Sequence, residues 1–262
     1  MISWVGQCCI NVTDLERSVA FYELFGLTAT SRTEIPDAFE AIVEHGDGKG
    51  GKLQLAQQKE GTAPLDHGNA FWKQYVNTND IARLYAAAMD NGCESVAAPE
   101  RYDRWPVTVA FVRDPDGYLV ELVQRHPWGD DGDDTAAWVG QHCLYVHDIA
   151  RTRAFYETLG LTCTSETDIP AHKEAILESS AGKGGKIQLA QKLDDDAPIA
   201  MGTAMWKQYV HTDDCVALHA AALAAGHREV MAPLRLDRWP TTISFVADPD
   251  GYQVELVQRH EG

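Results

Sequence analysis

The sequence predicts an α+β protein made of four β-α-β-β-β modules in two tandem domains. Two observations carry that expectation. First, residues 4–126 recur as 138–260, an offset of 134 positions with no insertion or deletion. Trp72-Lys73-Gln74-Tyr75-Val76 returns as Trp206-Lys207-Gln208-Tyr209-Val210, and Asp114-Pro115-Asp116-Gly117-Tyr118 as Asp248-Pro249-Asp250-Gly251-Tyr252. That period is too long for a solenoid repeat, so a whole domain is duplicated. Second, the strand and helix signals restart halfway through each copy.

Trp4 to Val12 alternates as a strand. Asp14 is placed to cap a helix whose apolar residues Leu15, Val19 and Tyr22 recur at helical spacing, and Gly26 ends it. Strand-like pieces follow at 39–44 and 52–57. The order then begins again with a strand at 71–77 and a helix from Asp80 through Leu84 and Ala88 to Gly92. Strands near 107–113 and 118–124 are joined by the turn residues Asp114-Pro115-Asp116-Gly117. The expected domains are 1–126 and 138–262. The acidic, glycine-containing segment 127–137 between them reads as a linker.

Bulk properties narrow the function. The chain has 262 residues, 45% hydrophobic and 23% charged, which suits two globular domains with real cores. A net charge of −17 argues against nucleic acid, whose phosphates need Lys and Arg. It also disfavours anionic membrane surfaces. No apolar run approaches the roughly 20 residues that span a bilayer. The amino terminus lacks the pattern of a secretory signal, so a cytoplasmic location is expected. Of six cysteines, only Cys9 and Cys143 correspond across the repeat, and no C-x-x-C occurs. They read as buried thiols rather than a disulfide or zinc framework.

Period-2 alternation assigns faces. Gln7 lies opposite the apolar Cys8, Ile10 and Val12. Gln54, Lys73 and Glu121 likewise sit on sheet faces away from the helices, as do their counterparts Gln141, Gln188, Lys207 and Glu255. Tyr75 and Asn77 share the face of Lys73, and Tyr209 and His211 that of Lys207.

The strand followed by Asp14-Leu15-x-x-Ser18-x-x-Phe21-Tyr22-x-x-x-Phe25-Gly26-Leu27, with Asp114-Pro115-Asp116-Gly117-Tyr118-x-x-Glu121-Leu122 later, resembles the vicinal oxygen chelate superfamily. That group includes glyoxalases, bleomycin-resistance proteins and extradiol dioxygenases. The resemblance covers both copies. It implies glyoxalase-like domains whose sheets form cups around a small-molecule substrate or ligand. In metal-using members, first and last strands of the modules supply His or Gln and Glu ligands. Here those positions carry Gln7, Lys73, Gln141 and Lys207, and Gln54, Glu121, Gln188 and Glu255.

The departures change the chemistry. A divalent ion prefers imidazole or carboxylate, whereas a protonated Lys has no lone pair and repels a cation. No tightly bound metal or other cofactor is therefore expected. Lys73 with Glu121, or with Glu255 of the other copy, reads in two ways. It is an ion pair that replaces a lost metal's charge, or a base (Glu121, Glu255) beside an electrostatic partner (Lys73, Lys207). Gln7, Gln54, Gln141, Gln188, Tyr75, Tyr209, Asn77 and His211 are the expected substrate-binding residues. Arg104 and Arg238, in Asp-Arg-Trp-Pro, suit a substrate carboxylate, or else an Arg–Asp bridge that locks a loop. Gly48-Lys49-Gly50-Gly51-Lys52 lacks phosphate-loop spacing and reads as a hairpin turn.

Two functions fit: a glyoxalase-like lyase or isomerase acting on a small carbonyl or C–H-acidic molecule, or a metal-free binding protein that sequesters one. Modules pairing across the copies would group Gln7 and Gln54 with Lys207 and Glu255, and Lys73 and Glu121 with Gln141 and Gln188. The sequence leaves open that pairing, the substrate and the oligomeric state.

Overall fold

The computed structural model describes residues 1–60, 64–126 and 136–260. Its elements repeat one order four times, in the expected β-α-β-β-β pattern. Module one is β1 (Ser3–Asn11), α1 (Leu15–Leu24), β2 (Thr28–Glu34), β3 (Ala38–Glu44) and β4 (Lys52–Gln58). Module two is β5 (Phe71–Thr78), α2 (Ile81–Asp90), β6 (Ser95–Tyr102), β7 (Val107–Arg113) and β8 (Leu119–Arg125). Module three is β9 (Ala137–Tyr145), α3 (Ile149–Thr158), β10 (Leu161–Asp168), β11 (His172–Ser179) and β12 (Lys186–Lys192). Module four is β13 (Met205–Thr212), α4 (Cys215–Ala224), β14 (Arg228–Leu236), β15 (Thr241–Ala247) and β16 (Gln253–Arg259). Residues 127–135 of the expected linker lie outside the described residues, and Ala137 opens β9.

Every described helix starts and stops by the same chemistry. Asp14, Asp80, Asp148 and Asp214 each accept a hydrogen bond from the backbone N–H three residues on, at 2.9 to 3.1 Å. That satisfies one of the donors a helix start leaves unpaired. Gly26, Gly92, Gly160 and Gly226 follow the helix ends with φ between 74° and 88°, a conformation that costs a residue with a Cβ. Each helix packs on the three strands that follow it.

The chain divides into two compact units. The first comprises Met1–Cys9, Asp66–Phe71 and Cys143–Gly262. Within it the strand order is β14-β15-β16-β13-β1, with β10-β11-β12 as a second run. The second unit comprises Ile10–Leu65 and Trp72–His142. Its strands run β9-β5-β8-β7-β6 and β4-β3-β2. The first strand of module one thus lies beside the first strand of module four, and β9 beside β5. The repeat pairs across the copies at these strands.

The Asp-Pro-Asp-Gly turns set where β8 and β16 begin. Asp114 Oδ1 accepts from the N–H groups of Asp116 and Tyr118, at 3.0 and 2.9 Å. Asp248 Oδ1 repeats this with Asp250 and Tyr252, both at 2.9 Å. Gly48 and Gly50, with φ of 74° and 79°, turn the chain between β3 and β4, so the expected hairpin turn is present.

Candidate functional site

In the second unit, β5 runs parallel to β8 with Tyr75 opposite Glu121, and β7 places Phe111 on the other side of Glu121. Lys73 stands two residues before Tyr75, so it meets Glu121 on the diagonal, within reach of a long side chain. Lys73 Nζ lies 2.7 Å from Glu121 Oε2. The same ammonium is 3.8 Å from the Trp72 ring centre, 4.9 Å from Tyr75 and 5.7 Å from Phe111. Both charged residues are buried, Lys73 at 6% exposure and Glu121 at 7%.

The first unit repeats the arrangement. Tyr209 opposes Glu255 across β13 and β16, and Phe245 opposes it across β15. Lys207 Nζ is 2.8 Å from Glu255 Oε2 and lies 4.5 Å from Trp206, 5.0 Å from Tyr209 and 5.4 Å from Phe245. Each ammonium is thus held by one carboxylate and three ring faces, all within the range where a cation and a π-face attract. Of the two pairings open from sequence, Lys73 with Glu121 is the one formed.

At 2.7 and 2.8 Å each contact is a close ion pair. Oε2 of Glu121 and of Glu255 is buried and has no hydrogen bond of ordinary geometry, despite the nearby ammonium.

The expected site residues fall into distinct places. Gln7 is buried on β1, the neighbour of β13. Its neighbour Gly6 makes room for His211: a Cβ there would lie 2.1 Å from His211 Cδ2. His211 stacks on Trp4, with ring centres 5.5 Å apart. Gly140 does the same for Asn77, whose Nδ2 would meet a Cβ at 2.1 Å. The backbone carbonyl of Gln141 accepts from Gln74 Nε2 at 2.9 Å, which fastens β9 to β5. The first unit therefore brings Lys207, Tyr209, His211 and Glu255 together beside the strand of Gln7. The second gathers Lys73, Tyr75, Asn77 and Glu121 beside the strand of Gln141. Gln54 on β4 opposes Ile42, and Gln188 on β12 opposes Ile176; both are buried. Arg104 and Arg238 sit on exposed turns, each stacked on the Trp that follows it at 4.7 Å.

Sequence reasoning missed the cage. Trp72 and Trp206 entered it only as markers of the repeat, and Phe111 and Phe245 not at all. The signal for the phenylalanines is their duplication at equivalent positions of the two copies.

The donor set does not fit a divalent ion. In each unit the carboxylate is already engaged by an ammonium, and the remaining donors are amides, a tyrosine and, in the first unit, the single imidazole of His211. Among the described residues, no three of His, Cys, Asp or Glu come together as metal ligands. A metal entering either cage would meet a fixed positive charge under 3 Å from its only anionic donor.

Comparison with known proteins agrees with this architecture. The family model of the Glyoxalase/Bleomycin resistance protein/Dioxygenase superfamily matches residues 4–122 and 138–256. A lactoylglutathione lyase of Arabidopsis thaliana is 26% identical, covering 96% of this chain and 90% of that protein. A lactoylglutathione lyase of Oryza sativa subsp. japonica is 25% identical, covering 94% and 86%. The crystal structure of glyoxalase I from Zea mays superposes with a TM-score of 0.86 at 25% identity, covering 98% of this chain and 92% of that one. The similarity is to lyases of glyoxalase type along nearly the whole chain. With both copies matched and the module order reproduced, this chain belongs to the Glyoxalase/Bleomycin resistance protein/Dioxygenase superfamily.

Proposed function

We propose that the protein is a glyoxalase-type lyase or isomerase that moves a proton between adjacent carbons of a small carbonyl substrate, without a tightly bound metal. The observation that carries this reading is the caged Lys–Glu pair, present twice. Glu121 and Glu255 are the bases. Lys73 and Lys207 supply the positive charge that receives the oxygen of the enolate. A carboxylate positioned within reach of an acidified C–H bond serves as its general base. An ammonium aimed at the developing oxyanion lowers the barrier because its charge is already in place.

The relatives are named for lactoylglutathione, a 2-hydroxyacyl thioester. Such a thioester and the hemithioacetal of a 2-oxoaldehyde are isomers: one hydrogen moves between the two carbons and one between their oxygens. Glutamate takes the C–H proton from the carbon bearing sulfur, the enediolate forms, the proton returns to the neighbouring carbon, and the hydroxyl proton passes from the first oxygen to the second, leaving the thioester carbonyl. A hemithioacetal of glutathione is accordingly the first substrate to try. Gln7, Gln141, Tyr75, Tyr209, Asn77, His211, Gln54, Gln188, Arg104 and Arg238 are proposed to bind and orient it. A cytoplasmic location rests on the sequence alone.

The test is Glu121→Gln combined with Glu255→Gln. Removing a general base lowers turnover by about 10²–10⁴-fold while leaving a neutral isostere in the cage. Retained substrate binding with lost turnover is the expected result. Turnover at the wild-type rate in the double variant contradicts the assignment. Tight stoichiometric binding by the wild-type protein with no conversion would favour the sequestering function instead.

A further inference from the structure

We infer that the protein forms a two-fold homodimer in which the outward face of α4 packs antiparallel against the same face of a second copy. The inference is independent of the chemistry assigned to the caged pair.

Helix α4 carries apolar residues on both sides. Cys215, Leu218, His219 and Ala222 are its buried residues. Val216, Ala217, Ala220, Ala221, Leu223 and Ala224 are exposed. The larger two are open to solvent by 56% for Val216 and 39% for Leu223. The exposed residues of the other described helices include charges: Glu16, Arg17 and Glu23 on α1, Asp90 on α2, and Arg151 and Glu157 on α3. A surface helix ordinarily sets charged and polar residues opposite its apolar stripe. On α4 there is none. Ile2 widens the patch. Its N–H donates to Asp213 Oδ1 at 3.1 Å, so this exposed isoleucine stands beside the helix start. An exposed apolar patch rimmed by polar residues marks an interaction surface.

The duplication supplies an internal comparison, because α2 is the same helix in the first copy. Arg83, Asp90 and Asn91 there correspond to Ala217, Ala224 and Ala225, and Ala82 corresponds to Val216. Beyond the helix ends, Asn79 corresponds to Asp213 and Glu94 to Arg228. The second copy therefore has an acid at one end, an uncharged middle and a base past the other end, and Asp213 and Arg228 are both exposed. Under a two-fold axis between Ala220 and Ala221, antiparallel helices bring Asp213 of each copy toward Arg228 of the other. That order is self-complementary, as an isologous interface requires.

Charge also selects the occupant. Two chains of net charge −17 repel over most of their surfaces, and here two copies meet with no like charges opposed. An anionic bilayer does not suit the face, which has no Lys or Arg among its exposed helical residues. The alanines let two helix axes approach to about 8 Å, which brings Val216 and Leu223 of each copy into the contact.

Sedimentation velocity tests this. At about 100 μM the wild-type chain is expected to show a mass twice the 28.9 kDa of one chain and to dissociate on dilution, because a face of this size suits micromolar affinity. Ala220→Glu places two carboxylates at the axis and gives a monomer, and Ala221→Lys does the same with two ammonium groups. Mixing these two variants restores the dimer, since the introduced carboxylate then meets the introduced ammonium. A variant that merely failed to fold could not recover in this way. Ala86→Glu, at the position of α2 that corresponds to Ala220, leaves the dimer intact. A wild-type chain that stays monomeric at the same concentration overturns the inference. So does a dimer that persists in Ala220→Glu, a mixture that stays monomeric, or a dimer lost in Ala86→Glu.

Discussion

Lys73 is buried among three rings and a carboxylate. Charges so placed depend on each other, because either alone meets the full cost of desolvation. Lys73→Met fills the volume but leaves Glu121 buried and uncompensated. Denaturant unfolding should show a loss of about 3–5 kcal/mol. A loss under about 1 kcal/mol would mean that the pair behaves as a surface salt bridge and that the cage is wet. At this scale the sequence was partly legible. Lys73, Glu121 and their counterparts stood out because alternation put charged residues on sheet faces away from the helices, twice. The rings around them did not, because Phe111 reaches Glu121 only through the register of β7 on β8, which no local pattern encodes.

Among the elements, the Asp-Pro-Asp-Gly turns carry the clearest pH signature. Burial pushes the Asp114 carboxyl from an ordinary 3.8 up to about 7, with the charge of Asp116 adding to it and the N–H of Tyr118 opposing it. Asp248 is likewise raised to about 7 by burial. A carboxyl whose folded pKa lies above its unfolded value binds its proton more tightly in the native state. Its contribution is complete below about pH 4 and is lost as pH rises through about 7. The displacement corresponds to roughly 4 kcal/mol per carboxyl. The stability of the wild-type chain relative to Asp114→Asn should therefore fall between pH 4 and 7, read from unfolding curves across that range. A flat or rising difference would show that the turn's N–H donors keep the carboxylate charged. Element legibility followed burial. The helices were announced by their Asp caps and Gly stops. Strands β2 and β6 were not located, because β2 (Thr28–Glu34) is polar and at most half-buried along its length and β6 (Ser95–Tyr102) is exposed throughout. Edge strands bury no continuous apolar face, so they carry little alternation to read.

For the whole molecule, the duplication was legible because it needs only residue identity. The lateral pairing of β1 with β13, and of β9 with β5, was not, since two similar copies offer similar edges. That pairing decides which first-strand glutamine accompanies which Lys–Glu pair. The functional claim rests on a substitution of charge. In the function proposed, an ammonium stands in each copy where the superfamily resemblance implies a divalent ion, and glutamate is assigned the proton transfer. The direct test is elemental analysis of the purified protein after exhaustive chelation, made alongside turnover of a glutathione hemithioacetal. The account predicts undiminished turnover with far less than one zinc, nickel or iron per chain. Activity that disappears on chelation and returns with a stoichiometric divalent metal would contradict it.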